Sequence, residues 1–504
     1  MIKDIFESAV VHFYNFILTQ GIKLLPKFKS SPKDNALFLG YGSPVLFPTR
    51  QQPVALSTQE RLRHCYVIGS TGAGKSKFLE GLIRQDVLKG NGFGVIDPHG
   101  DLVESILGFI TDILHDRGMN NRNQEILSRL ILVDLSDEDY AIGFNPLETI
   151  DKTNTYQLIL ELVEVFKKIW EESWGPRMEE LLRCGFYALA ENNLTLLEMP
   201  RLLTDLPFRT ALAEKLTNQE IKDYWLNRFN NLSDKMQIQY FEPVANKLSA
   251  FIADPFLRSM LAQEKSSFNF RKIMDEGKIL LINLSKGKFK ENAFLVGALF
   301  LAKIQMAALS RQEMPLHTRR PWHLYIDEFQ NFATDTFEVM LSEARKYGLG
   351  LVMAHQNLAA LKRKLRESIL GNAYTQIYFR VSRADANELS GEMSVENKQL
   401  LVRDLIDLKT SEAFVKIKTQ PPLKLKTAHI DPPTAKTGEI KALRKTILQA
   451  NCKKRMEIEK ELQTRKARID KMLKDFKKGG WEDASEAKPQ RKTKPTPQEL
   501  QEIE

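Results

Sequence analysis

Cysteine is scarce: three residues in 504, at positions 65, 184 and 452. Spacing that wide supports neither a metal-ligand motif nor a disulfide framework, which fits a chain that works in a reducing compartment. Cys65 and Cys184 sit among apolar neighbours and read as small core residues. Long apolar runs are missing as well. None reaches the ~18 residues of a membrane-crossing helix, and the best segment, Ala9–Leu18, is broken by His12 and Asn15. The stretch 1–30 reads instead as an amphipathic helix, with Ile2, Ile5, Phe6, Ala9, Val10, Phe13 and Ile17 on one face, docking on its own chain, on a partner or on a membrane surface. It has neither the charged start nor the cleavage site of a secretory leader. These absences give the expectation of a cytoplasmic protein without an integral membrane segment, reaching a membrane only peripherally through partners.

A charge excess of one sign is absent from most of the chain. The formal net charge is +9, but residues 441–480 hold 14 Lys and Arg against 5 Asp and Glu, which accounts for all of it. A basic tail points to nucleic acid or an acidic partner, and the neutral remainder gives no such signal. The hydrophobic fraction of 43% over 504 residues is ample for cores, and the length suggests two to four domains at roughly 150 residues each.

What the sequence does contain is Gly69-Ser70-Thr71-Gly72-Ala73-Gly74-Lys75-Ser76, followed by Lys77. Every fixed position of the G-x-x-x-x-G-K-[ST] phosphate loop is filled, with the strand-like His64–Ile68 before it and a helical pattern (Phe78, Leu79, Leu82, Ile83) after it. Such a loop turns successive N–H groups onto phosphate oxygens at the positive end of a helix. Lys75 is assigned to the β- and γ-phosphates of ATP and the Ser76 hydroxyl to Mg²⁺.

Further short apolar runs, Phe93–Ile96 and Arg129–Val133, end in Asp97 and Asp134 and alternate with helical sequence, the pattern of a parallel α/β sheet. Strand signals vanish over 151–270, where leucine- and charge-rich sequence predicts an all-helical insertion. They resume at Lys278–Asn283, Trp322–Ile326, Gly350–Ala354 and Thr375–Phe379, and Ala413–Lys418 with Leu423–Thr427 predicts a closing hairpin. The expected organisation is an N-terminal helix (1–30), a first ATPase segment (31–150), the helical insertion (151–270), a second ATPase segment (271–435) and a basic helical or disordered tail (436–504), the core ending at Asp431-Pro432-Pro433.

The run Leu324–Ile326 ends in Asp327-Glu328. Such a strand is expected beside the phosphate loop, with Asp327 completing the Mg²⁺ shell through water and Glu328 polarising the attacking water. The insertion explains the 252 residues between Lys75 and Asp327. Gln356, ending the next strand, which is expected to neighbour the acidic pair, is suited to contact a γ-phosphate and report its loss. Arg345 and Arg380 are the candidates for an arginine that reaches a neighbouring subunit's phosphate, and the sequence leaves the choice between them open.

With these residues in hand, the chain resembles the type IV secretion coupling proteins, conjugative DNA pumps of the TraG/TraD kind in the HerA/FtsK superfamily. The matching stretches are Tyr66–Lys77, Gly94–Leu102, Phe144–Leu147, Ile273–Ser285, Tyr325–Ala333, Ala344–Gln356 and Gln376–Ala386, in family order over about 60–430. The resemblance implies a RecA-like P-loop motor, a helical insertion equivalent to the family's all-α domain, a hexameric ring, and ATP-driven movement of single- or double-stranded DNA with a relaxase or secretion channel as partner. It assigns Gln356 to the sensor position and Arg345 to the finger. The chain departs from membrane-bound members in lacking their transmembrane helices. Two other readings stay open: a HerA-like helicase motor working with a nuclease, and an ATP-gated adaptor for protein substrates.

Overall fold

The computed structural model describes residues 35–44, 51–116, 120–149, 154–289, 291–334, 336–393, 398–418 and 420–478. The helix expected over 1–30 and the end of the tail, 479–504, lie outside the described residues. Among the described residues thirteen strands are formed: β1 (Leu37–Pro44), β2 (Gln52–Leu56), β3 (Cys65–Ile68), β4 (Gly92–Asp97), β5 (Leu130–Asp134), β6 (Tyr140–Ala141), β7 (Ile279–Asn283), β8 (Trp322–Ile326), β9 (Leu349–His355), β10 (Thr375–Tyr378), β11 (Glu412–Ile417), β12 (Leu423–Thr427) and β13 (Lys453–Lys454). Eleven of them make one sheet in the order β2-β1-β12-β11-β10-β3-β9-β8-β4-β7-β5, and β13 pairs with β6. From β10 to β5 every pairing is parallel. The hairpin of β11 and β12 and the lead-in strands β1 and β2 extend the sheet antiparallel on the β10 side.

The strand order corrects one expectation. The acidic strand β8 is not beside β3: β9 lies between them and pairs with both. Sequence spacing reveals that strands exist but not how crossovers interleave them. All seven residues of Leu349–His355 are buried, as a central position requires.

Alternation along the strands sorts side chains into two layers. Cys65, Val67, Phe93, Val95, Leu130 and Leu132 face a core shared with helices Lys75–Lys89 and Asp101–His115. Tyr66, Ile68, Ile96, Ile131 and Val133 face the opposite core, which runs on into the helical block. That block comprises Thr155–Ile169, Pro176–Glu191, shorter helices over Met199–Asp223, a π-helical turn at Tyr224–Phe229, Asp234–Ile252 and Pro255–Leu261. Among the described residues no strand falls between Ala141 and Ile279.

One helical segment, Asn292–Glu313, is long and apolar enough to cross a membrane by length and composition, with 72% of its most apolar window buried inside the protein. The expectation of no such segment counted unbroken apolar residues, whereas here polar residues such as Lys303 and Gln305 interrupt a high average. Its helix, Glu291–Leu309, packs against Thr155–Ile169 and Phe270–Glu276, and a helix covered on most sides is apolar on most sides.

The tail supplies a second correction, because the core does not end at Pro433. Leu443, Ile447 and Leu448 of helix Thr437–Asn451 are buried in the core beneath β5, and Ile469 and Leu473 of helix Arg455–Lys478 in the core of the helical block. Between the two helices β13 pairs with β6. Apolar residues are sparse here but fall at helical spacing, and the lysines and arginines between them mask the signal.

Candidate nucleotide-binding site

The phosphate loop leaves β3 at its C-terminal end and feeds helix Lys75–Lys89. Gly74, which caps that helix, has φ of 110°, a conformation open mainly to glycine. Gly69 has no room for a side chain: a Cβ there would lie 2.5 Å from that of Phe379. Neighbouring strands fix the loop. The Gly69 N–H donates to His355 O (3.3 Å), the Ser70 N–H to Arg380 O (2.7 Å), and the Ser411 N–H to Ala73 O (3.2 Å). Thr71, Gly72 and Ser76 are exposed, whereas Ala73 and Lys75 are buried. Lys75 Nζ donates to Gly69 O at 2.5 Å and faces Glu328 and Asp327, and burial draws its ammonium below the usual lysine range against the pull of those carboxylates. Lys77, itself exposed, instead pairs with the buried Glu80 of the same helix (2.7 Å).

Asp327 and Glu328 follow β8 at the same edge of the sheet, each 7% exposed. Burial pushes the Asp327 carboxyl up to about 6, with Glu328 and Asp97 adding to the rise and Lys75 opposing it. Glu328 has φ of 50°, in the left-handed region, strain of the kind that collects at functional sites. Both of its carboxylate oxygens are engaged: Gln356 Nε2 donates to Oε1 (2.7 Å) and Gln330 Nε2 to Oε2 (2.7 Å). Gln356 Oε1 accepts from the Thr71 hydroxyl (3.1 Å). Thus Gln356, on the strand between the loop and the acidic pair, joins them. Beside it His355 is fully buried, its pKa lowered to about 3 by burial and by Lys75, and the neutral ring meets the Tyr66 hydroxyl at 2.5 Å.

The two arginines part company. Arg380 stands beside its own phosphate loop through the carbonyl that holds Ser70. Arg345 is exposed in the turn that leads into β9, near His64, at the opposite edge of the sheet and roughly 20 Å away by strand length.

Two members of the site escape a reading by motif. Asp97 ends β4 next to β8, accepts the N–H groups of His99 (2.9 Å) and Val103 (3.0 Å), and raises the pKa of Asp327. Its run, Gly94–Leu102, is recognisable in the sequence, but only the strand order shows that it meets Asp327. Gln330 is invisible as a ligand of Glu328 until the turn Phe329–Asn331 is seen.

The raised Asp327 pKa makes a measurable demand on stability. A carboxyl whose folded pKa is about 6 against a usual 3.8 destabilises the fold when charged, fully above about pH 6 and not at all below about pH 4. Asp327→Asn is therefore expected to stabilise the ligand-free protein at pH 8 by on the order of 3 kcal/mol, the gain fading to nothing by pH 4. Thermal denaturation across that range checks it, and a gain independent of pH would refute the electrostatic cause.

A phosphate loop on one strand, an acidic pair two strands away and a glutamine-bearing strand between them define a RecA-like P-loop ATPase fold. Residues 41–304, more than half of the chain, match the family model described as the central domain of helicase HerA, and the chain belongs to that family. Residues 321–398 match the model described as the TraM recognition site of TraD and TraG. The fold is similar to that of the bacterial conjugative coupling protein TrwBdeltaN70 in its unbound form (TM-score 0.53, 17% identity, 76% of this chain and 88% of that one). It is likewise similar to the plasmid coupling protein TrwB in complex with ADP and Mg²⁺ (TM-score 0.53, 16% identity, 82% of this chain and 93% of that one). At such identities the likeness is one of fold. No curated protein sequence matches the chain.

Proposed function

We propose that the chain is an ATP-hydrolysing motor that moves DNA in conjugative or mobile-element transfer, working as a ring of identical subunits, most simply a hexamer. The observation that carries this reading is the Thr71–Gln356–Glu328 chain of hydrogen bonds, which ties the phosphate loop to the residue suited to activate water. In this reading the backbone of Gly69–Ser76 cradles the phosphates and Lys75 neutralises the β- and γ-phosphates. Glu328 polarises the water, and Gln356 exchanges its contacts for the γ-phosphate.

The residues present suit Mg²⁺ held together with nucleotide. Ser76 offers an exposed hydroxyl and Asp327 a carboxylate, while among the described residues no group of three or more His, Cys, Asp or Glu side chains is arranged to cage an ion alone. Magnesium characteristically takes one or two protein ligands and completes its shell with phosphate and water. Bound there, it would neutralise charge on the phosphates.

The division is into a motor (31–150 and 271–435) and a helical insertion (151–270) available to meet DNA, while the match to the TraM recognition model, residues 321–398, supports a relaxosome-partner contact on the second motor segment. Arg345, exposed before the N-terminal end of the central strand β9 and far from its own loop, is favoured over Arg380 to serve a neighbour's site.

The test is ATP turnover measured over a range of protein concentrations with no DNA, single-stranded DNA and double-stranded DNA. Stimulation by DNA, with turnover per subunit rising as subunits associate, is expected. Turnover indifferent to both DNA and concentration would sink the motor reading. Stimulation by a protein substrate alone would favour the adaptor.

A further inference from the structure

Glu328 is held by two amides of unequal freedom. Gln356 spends its oxygen on Thr71 of the phosphate loop and its nitrogen on Glu328, so reaching toward a phosphate costs it at least one of these bonds. Gln330 is differently anchored. Its side chain donates to Glu328 Oε2 at 2.7 Å, and its carbonyl accepts from Lys168 Nζ at 3.2 Å. Lys168 belongs to helix Thr155–Ile169, the first of the helical block. The same helix grips this segment a second time, where Glu161 Oε2 accepts the Thr336 hydroxyl at 2.8 Å. The Gln330 amide oxygen is buried without a hydrogen-bond partner. An orphaned amide oxygen is unfavourable, so an apolar side chain would suit the site better unless the N–H donor mattered. A left-handed Glu328 needs such outside support, because its backbone does not favour the conformation.

We propose that Gln330 is the positioning residue for Glu328, retaining Oε2 while Oε1 is given over to water, and that Lys168 fixes Gln330 from the helical block. This rests on the reading of Glu328 as the water-polarising group. Its consequence is that the aim of Glu328 depends on how helix Thr155–Ile169 is seated. A load on the helical block would then alter hydrolysis with no contact to the nucleotide.

The experiment is steady-state ATP turnover of the full chain carrying Gln330→Met, which keeps length and removes the donor, alongside Lys168→Met, Lys168→Arg and Glu328→Gln. Gln330→Met is expected to lower kcat about tenfold with KM for ATP unchanged, because misaiming a base costs rate and not binding. Lys168→Met should lower kcat about threefold, and Lys168→Arg, which keeps a donor, should restore it. The Gln330→Met/Lys168→Met double variant should be no slower than Gln330→Met alone, since both act through one chain of contacts. If Gln330→Met does not fold, the Lys168→Met and Lys168→Arg pair still decides, and equal kcat in the two would overturn the proposal. Wild-type kcat in Gln330→Met, or a loss carried by KM, overturns it while leaving Glu328 in its role, provided Glu328→Gln is inactive. Full activity of Glu328→Gln overturns both.

Discussion

Glu328→Gln is expected to bind ATP as tightly as the native chain and to hydrolyse it about 10²–10⁴-fold more slowly. The substitution keeps the shape, and the two facing amides, Gln356 and Gln330, retain partners by turning over. What is lost is the lone pair of a charged oxygen able to draw a proton from water. Lys75→Ala is the complementary test. Its ammonium is the cation that faces Asp327 and Glu328 at this edge, with Asp97 close behind. Removing it leaves those carboxylates without that counter-charge as a polyanion approaches, so binding and turnover should both fall. Equilibrium binding of a fluorescent ATP analogue with single-turnover hydrolysis separates the two outcomes. Normal hydrolysis by Glu328→Gln would mean that another group activates the water.

The difference between these residues and the rest of the site is also a difference in what sequence can express. The phosphate loop was legible because its chemistry is local: eight consecutive residues make the turn, the anion-binding backbone and the helix start. Asp327-Glu328 was legible because an apolar strand ends there. The closing hairpin of β11 and β12 stood out through its paired strand runs, and it forms antiparallel. Of the neighbours of the acidic pair, the Gln356 strand was legible and forms beside β8; that it also parts β8 from β3, and that Asp97 lies on the other side, was not. Whether β3 also adjoins β8 depends on crossovers tens of residues long, and Asp97 meets Asp327 only because β4 pairs with β8. Gln330 carries no motif, since its role follows from the tight turn after a left-handed residue. The tail was misread for the opposite reason. Its strong signal, charge, describes the exposed face of two helices, while the weaker apolar repeat describes the face that is buried.

Removing residues 436–504 is accordingly expected to cost the fold, where the charge pattern alone would predict weaker binding of DNA or an acidic partner with turnover intact. The tail inserts Leu443, Ile447, Leu448, Ile458, Ile469 and Leu473 into buried positions. At about 1.5–3 kcal/mol for each large apolar side chain, the loss rivals the roughly 5–15 kcal/mol that holds an ordinary domain together. Charge is built into the same contacts. Arg444 reaches the buried Asp134 at the end of β5 (3.0 Å), and Arg465, itself buried, lies 3.0 Å from Glu198 and donates to Ala262 O (2.6 Å). Glu198 in turn caps the turn at Thr195 within the helical block. Truncation to alanine at Arg465 strands that carboxylate, and breaking a buried pair from one side costs about 3–5 kcal/mol. The lower end is expected here, because Arg465 Nη2 and Glu198 meet as an ion pair without an aligned hydrogen bond. Thermal denaturation and limited proteolysis of Arg465→Ala and Ile447→Asp should show a lower melting temperature and faster cleavage, with Lys471→Ala, on the exposed face of the helix that carries Arg465, as the unperturbed control. A 1–435 fragment that melts at the native temperature and turns over ATP normally would return the tail to the role of a detachable basic arm.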